Sequence, residues 1–293
     1  MIVIDFNQVA ISNLMVELGG RKDVEINLPL VRHMILNSIR GYKQKFGGTY
    51  GDIVIACDNR TYWRRAIFPN YKASRKKDRD ASGYDWNSIF EALATVREEL
   101  DKVFPYPVLN VEGAEADDII ATLAEWTQSN DLSVGIIEEP KPFLVVSGDH
   151  DFIQLQKYSN VKQYSPIQKK IVKPDRKPTQ YVIEHIIRGD TGDGVPNVLS
   201  DDNCLVESRR QKPVMSKKLE EWISDPKTMP TSDEFKKNYE RNRVLVDLDC
   251  IPQSIKESII NTFVTQPKKD RSQLLNFFMK HKMKMMLDVI SEF

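Results

Sequence analysis

Residues 143–151 carry the stretch FLVVSGDHD, in which the apolar run 143–146 is closely followed by Asp149 and Asp151. Two other apolar runs end in the same way, one at Asp5 and one at Asp58. Continuous Val and Ile runs are typical of strands covered on both faces, as in parallel sheets. The intervening segments repeat apolar residues at helical spacing. The pattern therefore predicts an α/β fold with a parallel central sheet flanked by helices.

The chain has 293 residues, and its character changes near residue 177. A polar link bracketed by prolines, residues 173–178, separates two regions. We predict an α/β domain over residues 1–177 and a mostly helical domain over residues 178–293. Helices are predicted at 27–46, 85–103, 115–126, 180–188, 217–223, 233–243, 253–263 and 271–289, with a short one after Asp151.

Acidic residues are the main functional signal. The carboxyl ends of parallel strands meet at one sheet edge, which would gather Asp5, Asp58 and Asp149 there. Each acid alone could be a helix cap or a turn residue. Together they would repel one another unless cations were bound, and oxygen ligands suit Mg²⁺ or Mn²⁺. The candidate metal ligands are Asp5, Asp58, Glu115, Asp117, Asp118, Asp149, Asp151, Asp190 and Asp193.

Basic residues are concentrated although the chain is neutral overall, with 42 Lys and Arg against 42 Asp and Glu. Residues 60–79 hold eight Lys and Arg against the single acid Asp78, and aromatic residues lie among them. Such a segment is typical of nucleic-acid binding. Two divalent ions can clamp a phosphoryl group and activate water. A metal site beside a basic segment therefore indicates phosphodiester hydrolysis.

The order of these motifs resembles that of the 5′ nuclease, or flap endonuclease, superfamily, and most closely its branch of ribonucleases H from T-even-like bacteriophages. The matching motifs are IDFN (4–7), CDN (57–59), YWRR (62–65), YKASR (71–75), EADD (115–118), SGDHDF (147–152) and GDTGDGVPNV (189–198). The resemblance implies a metal-dependent 5′-to-3′ exonuclease and flap endonuclease. Its substrates would be RNA–DNA hybrids, nicked duplexes and 5′ flaps, and its role the removal of RNA primers in lagging-strand replication.

The resemblance also implies roles for single residues. Asp5, Asp58, Asp117 and Asp149 would hold a first metal ion, and Asp151, Asp190 and Asp193 a second, partly through water. Glu115 and Asp118 would be supporting acids. The ions would be two Mg²⁺, with Mn²⁺ as a substitute. The residues expected to be catalytic are Lys72, Asp149 and Asp151.

For nucleic-acid binding, the resemblance implies a basic arch near residues 60–84 and a helix-turn motif near 185–198. Lys72 would approach the scissile phosphate, and Tyr71 could stack on a base. The turn would grip the duplex backbone through amide groups. The residues expected to bind are Arg64, Arg65, Tyr71, Lys72, Arg75, Lys76, Lys77, Gly189, Gly194 and Val195. The family's second glycine pair is missing here, which predicts a remodelled grip.

Family membership would further imply a single-stranded-DNA-binding protein and a sliding clamp as partners. The chain contains no apolar run long enough for a membrane span. We expect a monomer located in the cytoplasm, that of a bacterial host if the protein is from a phage.

Two other readings compete. One is a haloacid dehalogenase-type phosphatase, which would need a second Asp at position 7, where this chain has Asn7. A nitrophenyl phosphate assay would detect such a phosphatase activity. A nonenzymatic protein that binds branched nucleic acid is the other. Such a binder would gain nothing from carboxylates that repel phosphate.

Overall fold

A six-stranded sheet forms the centre of the protein in a computed structural model, which describes residues 1–22, 24–128 and 140–293. The strands are β1 Ile2–Asp5, β2 Ile53–Ala56, β3 Val108–Leu109, β4 Phe143–Val146, β5 Val161–Ser165 and β6 Lys170–Ile171. Their order is β3-β2-β1-β4-β5-β6, and only β6 runs antiparallel to its neighbour. The predicted parallel sheet is therefore confirmed.

Helices cover the sheet and continue beyond it. They are α1 Phe6–Leu18, α2 Leu28–Tyr50, α3 Trp63–Ile67, α4 Arg75–Ser82, α5 Trp86–Val103, α6 Ala116–Gln128, α7 Pro178–Arg188, α8 Ser216–Ser224, α9 Asp233–Val246, α10 Gln253–Thr265, α11 Leu274–Lys280 and α12 Lys284–Leu287. Asn27 caps α2, because its side chain accepts a hydrogen bond from the Leu30 amide. The short helix expected near Asp151 is the 3₁₀ helix His150–Lys157.

Each face of the sheet carries its own core. Ile2 and Ile4 face α1, α2 and α5, whereas Val3 faces α6. Alternate residues of a strand point to opposite faces, which explains why the strands are apolar throughout. Two smaller cores lie under α7 to α9.

The chain's last helices return to the sheet region. Phe277 and Phe293 join the core around α2 and α5, and Ile259 of α10 joins the core around α6. The boundary near residue 177 stays a prediction. None of the described helices has the length and apolar character that a membrane span requires. The sequence of residues 131–142 predicts a loop, most of which, including Glu138 and Glu139, lies outside the described residues.

The single helix predicted over 271–289 is wrong: α11 ends at Lys280 and α12 begins at Lys284. Lys282 adopts a left-handed φ of 54° between them. The break lets Met283 pack in the same core as Phe278, with its amide bonded to the Phe278 carbonyl. Tertiary packing thus overrides a continuous helical pattern.

Candidate active site

A cleft of about 1000 Å³ lies beyond the carboxyl ends of β1, β2 and β4. This is where ligands gather in parallel sheets. Eight of the nine predicted acids line it: Asp5, Asp58, Glu115, Asp117, Asp149, Asp151, Asp190 and Asp193. The ninth, Asp118, is fully buried.

Backbone and side-chain donors orient the acids at the strand ends. Asp5 ends β1 and accepts hydrogen bonds from the Gln8 amide at 3.1 Å and the Ser147 hydroxyl at 3.0 Å. Asp58 accepts from Asn7 Nδ2 at 2.7 Å and from the Ala116 amide at 2.8 Å, at the start of α6. Adjacent elements therefore hold these carboxylates in place, which preorganises the site.

Crowding changes the proton affinity of the acids. Burial, followed by the charges of Asp58 and Asp149, raises the pKa of Asp5 to about 7. Burial and the Asp149 charge raise the pKa of Asp117 and of Asp151 well above the ordinary value. Packed carboxylates of this kind favour protons or metal ions. The hard oxygen donors at this edge fit divalent cations.

His185, which lies near the end of α7, was not among the site residues predicted from the sequence. Its Nε2 atom is 3.2 Å from Asp151 Oδ1 and 3.8 Å from Asp190 Oδ2. The three residues offer ligand atoms within 4.8 Å of one another. Nε2 is buried, and it has no hydrogen-bond partner among the described residues. The available signal was the spacing to Asp190, but a lone histidine in an amphipathic helix is an ordinary core residue.

Arg64 does not have the expected role of contacting a nucleic-acid strand. It is only 2% exposed, and it donates to Glu115 and Asp118 at 2.8 Å each and to the Leu245 carbonyl. The Trp63 indole and the Glu115 amide also donate to Asp118. Arg64 and Asp118 thus form a buried pair behind the cleft. There Arg64 cannot contact a nucleic-acid strand, and Asp118 cannot bind a metal ion in the cleft.

Tyr71 and Lys72 are also enclosed. The Tyr71 ring is buried, and its hydroxyl donates to Asp193 at 2.7 Å, so it cannot stack on a base in this arrangement. Lys72 Nζ contacts Glu115 and lies 3.4 Å from Asp193. The Lys72 ammonium therefore lies on the cleft wall among carboxylates.

The turn after α7 docks against the basic segment. The Lys72 amide donates to the Asp193 carbonyl at 2.7 Å. Gly194 has φ of 75°, and a Cβ there would lie 2.8 Å from the Asn70 carbonyl oxygen. Only glycine permits this close approach, which brings Asp193 to Lys72.

The amides expected to grip a duplex are occupied within the protein. Those of Gly189, Gly194 and Val195 donate to the carbonyls of His185, Thr191 and Asp190. These three amides are therefore not free to donate to a duplex backbone, contrary to what the sequence had led us to expect. The exposed tip of this turn is formed by Thr191 and Gly192 instead.

Other cations remain available at the surface. Arg65, Arg75, Lys76 and Lys77 are exposed, and α4 buries none of its residues. Arg75 also contacts Asp193. Trp86 and Phe90, which the sequence analysis missed, line the same cleft and pack at 5.6 Å between ring centroids.

The metal-free protein should lose stability as pH rises from about 4 to about 7. The pKa of folded Asp5 is about 7, against 3.8 ordinarily. The contribution of protonated Asp5 to the free energy of unfolding is complete below pH 3.8 and is lost as the pH rises through 7. A cation that binds only the folded protein offsets that repulsion, and at about 100 times its Kd it stabilises the protein by about 2.7 kcal/mol. Mn²⁺ should therefore raise the unfolding temperature more at about pH 8 than at about pH 5.5. Equal shifts in calorimetry would contradict this.

Comparisons with known proteins cover nearly the whole chain. A family described as "5′-3′ exonuclease, N-terminal resolvase-like domain" matches residues 21–185, and one described as "T4 RNase H, C terminal" matches residues 176–293. Ribonuclease H of Enterobacteria phage T4 is 35% identical over 99% of this chain and 95% of its own length. Flap endonuclease Xni of Shewanella halifaxensis is 32% identical over 46% of this chain and 49% of its own.

Solved structures share the fold. The T5 D15 protein co-crystallized with metal ions aligns with a TM-score of 0.63 at 14% identity, covering 90% of this chain and 97% of that one. A T5 D15 flap endonuclease complex with DNA and metal ions gives the same score, identity and coverage.

Proposed function

The chain belongs to the 5′-3′ exonuclease family, and from that membership we propose that it is a metal-dependent 5′-to-3′ exonuclease and flap endonuclease. Its substrates are RNA–DNA hybrids, nicked duplexes and 5′ flaps, and its role is removal of RNA primers in replication. The observation that carries this proposal is the convergence of eight carboxylates on one cleft beside an exposed basic segment.

We assign the acids to two divalent ions, Mg²⁺ with Mn²⁺ as a substitute. The first ion is held by Asp5, Asp58, Asp117 and Asp149. The second is held by Asp151 and Asp190, and Asp193 lies in the same cleft. Glu115 and Asp118 support the site through Lys72 and Arg64. When bound, such ions activate water and stabilise charge on the phosphoryl oxygens.

Lys72 supplies the fixed positive charge of the site. Burial alone would lower the pKa of its ammonium, but Asp193 and Glu115 outweigh burial and raise that pKa. Lys72 therefore stays charged at working pH. A compact ammonium held in this way can stabilise charge that develops on a phosphate, and it needs no reorganisation.

Exposed cations and aromatics hold the substrate around this centre. Arg65, Lys76 and Lys77 contact phosphates, and Trp86 and Phe90 offer a wall against which single-stranded bases stack. Arg64 and Tyr71 serve the site by holding Glu115 and Asp193. Residues 1–177 carry most of the chemistry. Residues 178–293 add Asp190 and Asp193 to the site and bind the duplex.

Arg65 should contribute to DNA affinity, whereas Arg64 should not. Replacing Arg65 by Gln removes one exposed phosphate contact, so affinity should fall and the slope of log K against log salt should shrink by about 1. Arg64→Gln is the matched control. It should lower the unfolding temperature, because Glu115 and Asp118 lose a buried partner, and leave the salt slope unchanged. Equal slopes for wild type and Arg65→Gln would contradict the assignment.

The function is tested with 5′-labelled substrates: a flap, a nicked duplex and an RNA–DNA hybrid, each with Mg²⁺ and with EDTA. We expect short labelled products from all three substrates in the reactions with Mg²⁺ and none in the reactions with EDTA. Tight binding without cleavage would instead indicate an accessory protein. Hydrolysis of nitrophenyl phosphate without DNA cleavage would indicate a phosphatase.

Membership of this family also suggests the protein's surroundings. We propose a monomer that acts in the cytoplasm of a bacterial host, beside a single-stranded-DNA-binding protein and a sliding clamp. Sedimentation of the protein alone tests whether it is a monomer, and sedimentation with each partner tests the two interactions.

A further inference from the structure

The second metal position has an unusual neighbour. His185 Nε2 lies 3.2 Å from Asp151 Oδ1 and 3.8 Å from Asp190 Oδ2, and these ligand atoms fall within 4.8 Å of one another. Despite that proximity, Nε2 forms no hydrogen bond with any described residue, although it is buried. A buried nitrogen without a partner is costly unless something else occupies it.

The ring of His185 is held in position. The Tyr181 ring, one turn earlier in α7, stacks on it with 5.8 Å between centroids and 10° between planes. The helix ends just beyond, where the Gly189 amide donates to the His185 carbonyl. The ring therefore presents Nε2 to the two carboxylates from a rigid element, as a metal ligand requires.

Asp193, the third acid expected at this position, is committed elsewhere. Its carboxylate accepts from the Tyr71 hydroxyl and contacts both Lys72 and Arg75. These partners hold its charge on the cationic side of the cleft, and together they outweigh burial to lower its pKa. Asp151 and Asp190 are thus left with the histidine, whose ligand atom lies within 4.8 Å of theirs.

We infer that His185 Nε2, with Asp151 and Asp190, ligates the second divalent ion, and that Asp193 serves to hold Lys72 and Arg75. This inference rests on the proposed function and gives one metal position a nitrogen ligand. Imidazole suits transition metals such as Mn²⁺ better than Mg²⁺. The second position should therefore prefer Mn²⁺ over Mg²⁺ more strongly than an all-oxygen position would.

Pulsed electron paramagnetic resonance of the Mn²⁺-loaded protein tests the inference. We expect a ¹⁴N coupling typical of imidazole in the wild type, and its loss in His185→Gln. Titration calorimetry should show one Mn²⁺ position weakened about tenfold or more in that variant. His150→Gln is the matched control, because His150 is exposed between Asp149 and Asp151. It should keep the coupling.

A second variant covers the case in which His185→Gln fails to fold. Replacing the other three histidines, His33, His150 and His281, by Gln leaves His185 alone, and the coupling should persist. Bound Mn²⁺ without any ¹⁴N coupling in the wild type would overturn the ligand assignment and leave the proposed nuclease intact. A protein that binds no Mn²⁺ and cuts no DNA would overturn both.

Discussion

Replacing Asp149 by Asn should abolish cleavage and leave DNA binding intact. Asp149 lies at the cleft, and its Oδ1 accepts from the Asp151 amide at 2.9 Å, a hydrogen bond that an Asn oxygen can keep. The change therefore removes a ligand charge without disturbing the turn. We expect the single-turnover rate to fall by a factor of about 10³ or more, which corresponds to about 4 kcal/mol in the barrier.

The control for this prediction is Asp175→Asn, because Asp175 is exposed and is not among the residues that line the cleft. That variant should cut at the wild-type rate. Flap binding by Asp149→Asn, measured without metal, should be equal to or slightly tighter than wild type, since a charge that repels phosphate is gone. Normal cutting by Asp149→Asn would show that the metal position is wrongly assigned.

Replacing Lys72 by Met should lower the cleavage rate far more than it lowers affinity. The ammonium contacts Glu115 and Asp193, and no other Lys makes that pair of contacts among the described residues. Removing it takes away preorganised charge, for which we expect a rate loss of about 10²- to 10³-fold. The buried Glu115 and the half-buried Asp193 also lose a partner, which should destabilise the fold by about 3 kcal/mol.

Lys76→Met is the matched control, since Lys76 is exposed in α4. It should change the single-turnover rate by less than about twofold, with a small loss of affinity. Rates should be measured well below the unfolding temperature of Lys72→Met, so that lost stability does not count as lost chemistry. An unchanged single-turnover rate in Lys72→Met would remove Lys72 from the mechanism.

The sheet and its acidic edge could be predicted from local sequence. Apolar runs that end in Asp5, Asp58 and Asp149 identify buried parallel strands, and topology then brings their ends together. The acids at 190 and 193 are far along the chain from these strands. Only the family resemblance indicated that they belong to the same site.

The roles of Arg64, Tyr71 and His185 could not be predicted in the same way. Each is decided by a partner far along the chain: Arg64 by Asp118, Tyr71 by Asp193 and His185 by Asp151. A basic, aromatic segment predicts an exposed binding surface, but part of it is needed to neutralise the acids behind the cleft. Local pattern cannot separate the cations that face solvent from those that face the acids.

Anomalous X-ray scattering from crystals grown with Mn²⁺ would show directly whether the acidic cleft binds two metal ions. We expect two strong peaks within the cleft. One should lie among the carboxylates of Asp5, Asp58, Asp117 and Asp149, and the other beside Asp151 and Asp190. Mn²⁺ density elsewhere with none in the cleft, in a protein that still cuts DNA, would show that the acidic cleft is not the metal site.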